Sequence, residues 1–251
     1  LLSVIIICKE EEDQIKECLE SVKWADEIIL VDAESKDKTV DIAKSYTDKI
    51  YIKKWEGYSV QRNYALSLAN YKWVLSIDAD ERVTGELKEE IISVINSGSD
   101  EIKGFRIPRK TYFLNRWIKH SGWYPGYQMR LFQKEFVYMK NRLVHEGFEV
   151  KGETGYLKNN LLHYTVTSIS DFAERVNTYS TLQAEEKSIT RKVRYNDLFF
   201  RPFVSFFKYY ILKCGFRDGP QGFMVAMFDL ITNSLTYMKI WEMQNKKEKS
   251  G

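Results

Sequence analysis

Short apolar runs recur along the first half of this chain, and acids follow them. Val4 to Ile7 is a β-branched run that leads into CKEEED, after which Ile15, Cys18, Leu19 and Val22 fall at helical spacing. Glu27 to Val31 predicts a second strand ending at Asp32, and AESKDKT leads into a helix with Thr39 as N-cap ahead of Val40 and Ala43. Lys49 to Ile52 reads as a third strand. Gln61 to Ala69 places Tyr64, Ala65, Leu68 and Ala69 on one helical face, Trp73 to Ile77 reads as a fourth strand, and Thr84 caps a helix that buries Leu87, Ile91, Val94 and Ile95. Strands alternating with short helices predict an α/β fold with a doubly wound, mostly parallel sheet. Such sheets bind ligands beyond the carboxyl ends of their strands. Glu11 to Asp13, Asp32, and Asp78 with Asp80 all fall at such ends and are expected to share one crevice.

From Gly98 to Lys103 the pattern turns polar. Gly104 to Trp117 is rich in Arg, Lys and aromatics, and HSGWYPGYQMRLFQ follows; Gly, Pro, Trp and Tyr packed so closely predict an irregular loop. Aromatic faces beside Arg116 and Arg130 suit a sugar or a phosphate. The three histidines, His120, His145 and His163, all fall in this middle stretch; each taken singly reads better as structural than as functional, and their confinement to one segment weakens that reading without removing it. NRLVHEGFEV reads as a turn between strands, where Glu146 is a candidate general base if it reaches the reacting hydroxyl. A helix is expected from Ser170 to about Ser188, with Asp171, Glu174 and Arg175 on its exposed face.

The acidic turn WVLSIDADER carries the most chemistry. Crowded carboxylates each disfavour ionisation of the other unless a cation intervenes, and Mg²⁺ is typically held by one or two carboxylates plus substrate phosphates. The plainer reading is a solvated acidic turn that caps the next helix, and Asp32 is equally readable as a structural strand-end acid. No Gly-rich phosphate loop follows the first strand, so a nucleotide here would depend on a metal for positive charge.

Composition changes the picture mainly at the C-terminus. The net charge of +3 divides unevenly: residues 187–251 hold 12 Lys or Arg against 5 Asp or Glu, +7, and the remaining 26 against 30 leave −4. LFFRPFVSFFKYYILKCGF and FMVAMFDLITNSLTYMKIW are long and apolar, but interior charges argue for amphipathic helices rather than spans. The first suits a helix lying in a membrane interface; packing on the catalytic domain, or a homo-oligomer contact, is the alternative. Nucleic-acid binding is disfavoured, because the basic residues are interleaved with apolar runs. Three cysteines without metal-ligand spacing point to a reducing cytoplasm rather than a disulfide framework, and the apolar opening is too short for an export signal.

SVIIICKEEE, VDAESKDKT, GYSVQRNYAL, WVLSIDADER, HSGWYPGYQMRLF and VHE, in this order, resemble the family 2 glycosyltransferases, nearest to the lipopolysaccharide core β-1,4-glucosyltransferase subgroup. The resemblance covers about residues 2–185. It implies a GT-A fold, a nucleotide-sugar donor such as UDP-glucose, and Mg²⁺ or Mn²⁺. Residues 1–103 would form the donor half, 104–186 the acceptor and catalytic half, and 187–251 the amphipathic helical region.

Carried over by position, Glu11, Asp32, Arg62, Asn63 and Asp78 would hold the donor, Asp80 and His163 the metal, and Glu146 would be the base. His120, Trp123, Tyr124, Arg130 and His145 are candidates for the acceptor or the diphosphate. The implied reaction is an inverting transfer of a hexose to a hydroxyl of a lipopolysaccharide core, glycolipid or other cell-surface glycan, on the inner face of the cytoplasmic membrane. Cys8–Lys9–Glu10–Glu11 and Asp32–Ala33–Glu34–Ser35 depart from the family's usual Thr-Lys-Asn-Glu and Asp-Ser-Gly-Ser, which leaves nucleotide preference open. Rival readings are a nucleotide-sugar phosphohydrolase and a non-catalytic nucleotide-sugar-binding membrane scaffold.

Overall fold

The computed structural model describes residues 1–97, 101–139, 147–190 and 192–248. His145 and Glu146 lie outside the described residues. The chain forms two compact units, one from the described parts of Leu1–Lys110, Gly126–Asn141 and Glu146–His163, the other from those of Thr111–Pro125 and Tyr164–Gly251.

In the first unit, β1 (Leu2–Cys8), β2 (Glu27–Asp32), β3 (Ile50–Ile52) and β4 (Trp73–Asp78) alternate with α1 (Ile15–Val22), α2 (Thr39–Ala43) and α3 (Tyr58–Leu68). Along the chain then come β5 (Glu81–Val83), α4 (Gly85–Asn96), β6 (Ile102–Phe113), β7 (Arg116–Trp117), β8 (Gly126–Gln133), β9 (Val137–Met139), β10 (Phe148–Val150), β11 (Glu153–Tyr156) and β12 (Leu161–Val166), of which β7 and the last residues of β6 and β12 belong to the second unit. The sheet runs β3-β2-β1-β4-β8-β6-β12-β5. Its first four strands are parallel, and β8 joins β4 antiparallel.

Every residue of β1 and β2 is buried, as expected where helices cover both faces of a parallel sheet. Alternate side chains separate to opposite faces. Val4, Ile6, Leu30, Leu75 and Ile77 join Ile15, Leu19, Leu87 and Ile91 of α1 and α4 in one core. Ile5, Ile7, Ile29, Val31 and Val74 join Ala65 of α3 in the other. Each such Ile or Leu, fully buried, contributes about 1.5–3 kcal/mol of transfer free energy. The strand order grows outward from β1 to β3 and then returns to β4 on the other side of β1, which opens a crevice between the ends of β1 and β4.

Two expectations need correction. The segment read as an irregular loop contains the long strands β6 and β8, paired antiparallel from Gly104↔Phe132 to Arg109↔Gly126. Thr39 is not the N-cap of α2: Asp37 accepts its amide at 3.0 Å, and its hydroxyl accepts from the Glu11 amide instead. Thr84 does cap α4, accepting from Leu87 N at 3.2 Å.

The second unit is mainly helical, with α5 (Ile169–Thr190), α6 (Tyr195–Phe207) and α7 (Gly219–Glu248). A π-helical turn extends α6 over Lys208–Leu212, and a 3₁₀ turn at Gly215–Asp218 leads into α7. The approach there is close enough that a Cβ on Gly222 would sit 2.0 Å from the Gly215 carbonyl oxygen, so only glycine fits. Among the described residues no helix is long and apolar enough to cross a membrane.

Candidate active site

The crevice is framed by two loops and one tight turn. The loops after β1 and β2 are joined by side chain–backbone bonds. The amides of Glu10, Glu11 and Glu12 donate to Ser35 Oγ (2.7 Å), Thr39 Oγ1 (2.8 Å) and Asp37 Oδ2 (3.1 Å), and the Lys38 amide donates to Glu12 Oε2 (3.0 Å). Asp32 is fully buried. Its carboxylate accepts from the Ser35 amide (2.8 Å), the Ser35 hydroxyl (2.5 Å) and the Cys8 thiol (3.5 Å), so both oxygens are engaged in shaping the loop.

The turn from Asp78 to Glu81 is pinned from behind by Arg82. Its guanidinium donates to the carbonyls of Ala79 (2.8 Å), Glu81 (2.9 Å) and Gln14 (2.8 Å), tying the turn to the start of α1. In front lies a network of three guanidiniums and two carboxylates. Asp78 accepts from Arg62 Nη2 at 2.7 Å and from Arg130. Arg130 also donates to Glu81 at 2.7 Å, and Arg109 pairs with Glu81 at 3.6 Å. Glu81 further accepts from the Asp78 amide at 2.9 Å.

Burial opposes charge on Asp78, but Arg130 and Arg62 more than offset it and hold the carboxyl far below the usual range. Burial likewise works against charge on Arg130, and Asp78 and Glu81 outweigh it and push its pKa up. The Nε atoms of Arg62, Arg109 and Arg130 are buried and make no hydrogen bond to the described residues.

Asp80, at the tip of the turn, has a different partner. β12 lies antiparallel to β5 with His163 opposite Glu81, and His163 Nε2 stands 3.3 Å from Asp80 Oδ2 with both side chains mostly buried. A carboxylate oxygen and an imidazole nitrogen converging in this way fit Mn²⁺ or Mg²⁺ as two ligands of an otherwise substrate- and water-coordinated ion. Among the described residues no group of three or more His, Cys, Asp or Glu could hold a metal alone. Both oxygens of Asp78 are engaged by guanidiniums, so it is not a third protein ligand in this arrangement.

The remaining candidates disperse. Asn63 is exposed on α3. In the second unit His120 is held by Asp218, which accepts its amide at 2.8 Å and meets Nδ1 at 2.9 Å. Trp123 packs on Phe113, and Tyr124 stands edge-on to Trp117. Sequence reasoning missed Arg109 and the counter-ion role of Glu81. Glu81 was visible in the acidic turn itself, but Arg109 sat in a stretch expected to be irregular.

Fold and crevice together define a GT-A glycosyltransferase. The mannosyltransferase PcManGT from Pyrobaculum calidifontis, solved in complex with GDP-Man and Mn²⁺, superposes with a TM-score of 0.51, covering 99% of this chain and 87% of that one at 13% identity. The mannosyl-3-phosphoglycerate synthase of Rubrobacter xylanophilus gives 0.50 over 77% and 76% at 13% identity. The family model for glycosyl transferase family 2 matches residues 3–161. The lipopolysaccharide core biosynthesis glycosyltransferase LpsC of Rhizobium meliloti is 31% identical over 249 residues, 96% of this chain and 92% of that protein. The chain belongs to glycosyltransferase family 2 and is an enzyme of that family.

Proposed function

We propose that this enzyme is a metal-dependent, inverting hexosyltransferase that moves glucose from UDP-glucose to a hydroxyl of a lipopolysaccharide core or related glycolipid at the inner face of the cytoplasmic membrane. The observation that carries the reading is the Asp80–His163 pair beside the ionised Asp78, at the point where the strand order reverses. Similarity to LpsC, a protein of lipopolysaccharide core biosynthesis, supports the acceptor class. The GDP-Man and Mn²⁺ bound to the Pyrobaculum enzyme support a nucleotide sugar and a divalent ion.

In this reading Asp80 and His163 hold the ion, which when bound supplies positive charge against the donor diphosphate. Glu11, Asp32, Arg62, Asn63 and Asp78 form the donor side, with Asp32 acting through the loop it orders. Arg62 and Arg130 keep Asp78 ionised at every physiological pH. Glu146 takes the proton from the acceptor hydroxyl, and that oxygen bonds to the anomeric carbon as the bond to the nucleoside diphosphate breaks. Attack from the face opposite the leaving group inverts the centre.

Calorimetric titration of a nucleotide-sugar panel, with and without Mn²⁺, tests this on the wild type and on Asp80→Ala. One donor is expected to bind only with metal, and Asp80→Ala is expected to lose that binding while remaining folded. Absence of nucleotide-sugar binding to the folded wild type would refute the donor site.

A further inference from the structure

α6 is built inside out. Its buried positions include Asp197 and Pro202. The Asp197 carboxylate accepts from Arg201 Nε (2.5 Å) and the Arg194 amide (3.0 Å), and half-buried Ser205 donates to Asp229 of α7. Its outer positions carry Phe199, Phe200, Phe203, Val204 and Phe207, all 54–67% exposed. Their spacing makes one continuous helical stripe, and Ile211 and Leu212 extend it through the π-helical turn. At the start of α6 the stripe runs into an apolar cavity of about 460 Å³, lined by Tyr195, Leu198, Phe199, Met238, Trp241 and Glu242. A helix facing water would have its polar side outward, and a contiguous apolar patch of this kind marks a docking surface.

Charge identifies what docks. Residues 192–218 contain six basic side chains, all exposed, against two acids, the buried Asp197 and Asp218, and Glu242 at the cavity is paired with Lys246. A symmetric contact with a second copy would set this basic rim against itself, whereas an anionic bilayer complements both the charge and the apolar stripe. We infer that the outer face of α6, with the adjoining cavity, docks on the surface of an anionic lipid bilayer, with its phenyl rings in the headgroup–acyl boundary. Tyr195 and half-exposed Trp241 suit that depth, where aromatic side chains with one polar edge concentrate. The inference gives residues and a lipid charge to the membrane location proposed above, and it stands on the helix face rather than on the donor site.

The test uses the full chain and vesicles of phosphatidylcholine alone or mixed with phosphatidylglycerol. Co-sedimentation is expected with the mixed vesicles only, to weaken with salt, and to fall roughly tenfold or more in a Phe200→Ser/Phe203→Ser/Phe207→Ser variant. These positions face outward, so the variant is expected to keep its melting temperature and its donor titration, which separates failure here from failure of the transferase reading. Equal sedimentation with both vesicle types, no sedimentation of the wild type, or unchanged binding by the variant would each overturn the inference. So would a wild-type dimer in analytical ultracentrifugation that the variant abolishes without any effect of lipid.

Discussion

Glu81 is fully buried between Arg130 and Arg109 and also accepts the Asp78 amide. Removing it leaves three guanidiniums facing one carboxylate, and an uncompensated buried charge typically costs about 3–5 kcal/mol. Glu81→Ala is therefore expected to lower the unfolding free energy from urea titration by that order; equal stability of variant and wild type would show that it is not the counter-ion. A second buried acid contributes to the acid sensitivity of the fold. Glu27 accepts from Ser3 Oγ (2.5 Å), the Asn70 amide (2.9 Å) and Asn70 Nδ2 (2.5 Å), and pairs with Lys49. Burial opposes its ionisation, but the bonds from Asn70, Lys49 and Ser3 prevail and lower its pKa to about 2. A carboxyl lowered on folding stabilises fully above its unfolded pKa, about 4.3, and loses that contribution as pH falls towards the folded value. Stability measured by denaturant titration is expected to drop by about 3 kcal/mol from this group between about pH 5 and pH 2, and Glu27→Gln to flatten that part of the profile.

At the scale of elements, the two loops beside β1 and β2 are tied directly to each other. Hydrogen exchange is expected to find the amides of Glu10, Glu11, Glu12 and Lys38 protected, although they lie in loops, since each donates to a side chain of the opposite loop. Exchange at free-loop rates would mean that the loops open independently. This part of the fold was legible in the sequence because local rules coincide there. The strands are continuous apolar runs, Ile15, Cys18, Leu19 and Val22 form a clear stripe, and Thr84 is a cap with a mechanism. β6 and β8 were not legible. Their Gly, Pro and aromatic content matches loops, and what makes them strands is antiparallel pairing with each other and with β4, which no local window contains. The site divides in the same way. Its acids announce themselves at strand ends, but Arg109 gains its meaning only from Glu81, on a different strand.

Across the whole molecule, chemistry and anchorage fall to different stretches of chain. The acidic turn, its guanidiniums and His163 belong to the first unit; the inside-out helix and its basic flanks belong to the second. His163 is the last residue of the first unit, and it reaches Asp80 only because β12 pairs with β5. Pairings between such distant segments must close a long loop before they return any free energy, and they tend to form late. A chain still emerging from the ribosome therefore displays Asp80 well before its imidazole partner exists. The Asp80–His163 contact is thus a marker of completed long-range pairing, since the two residues meet only where β12 lies against β5.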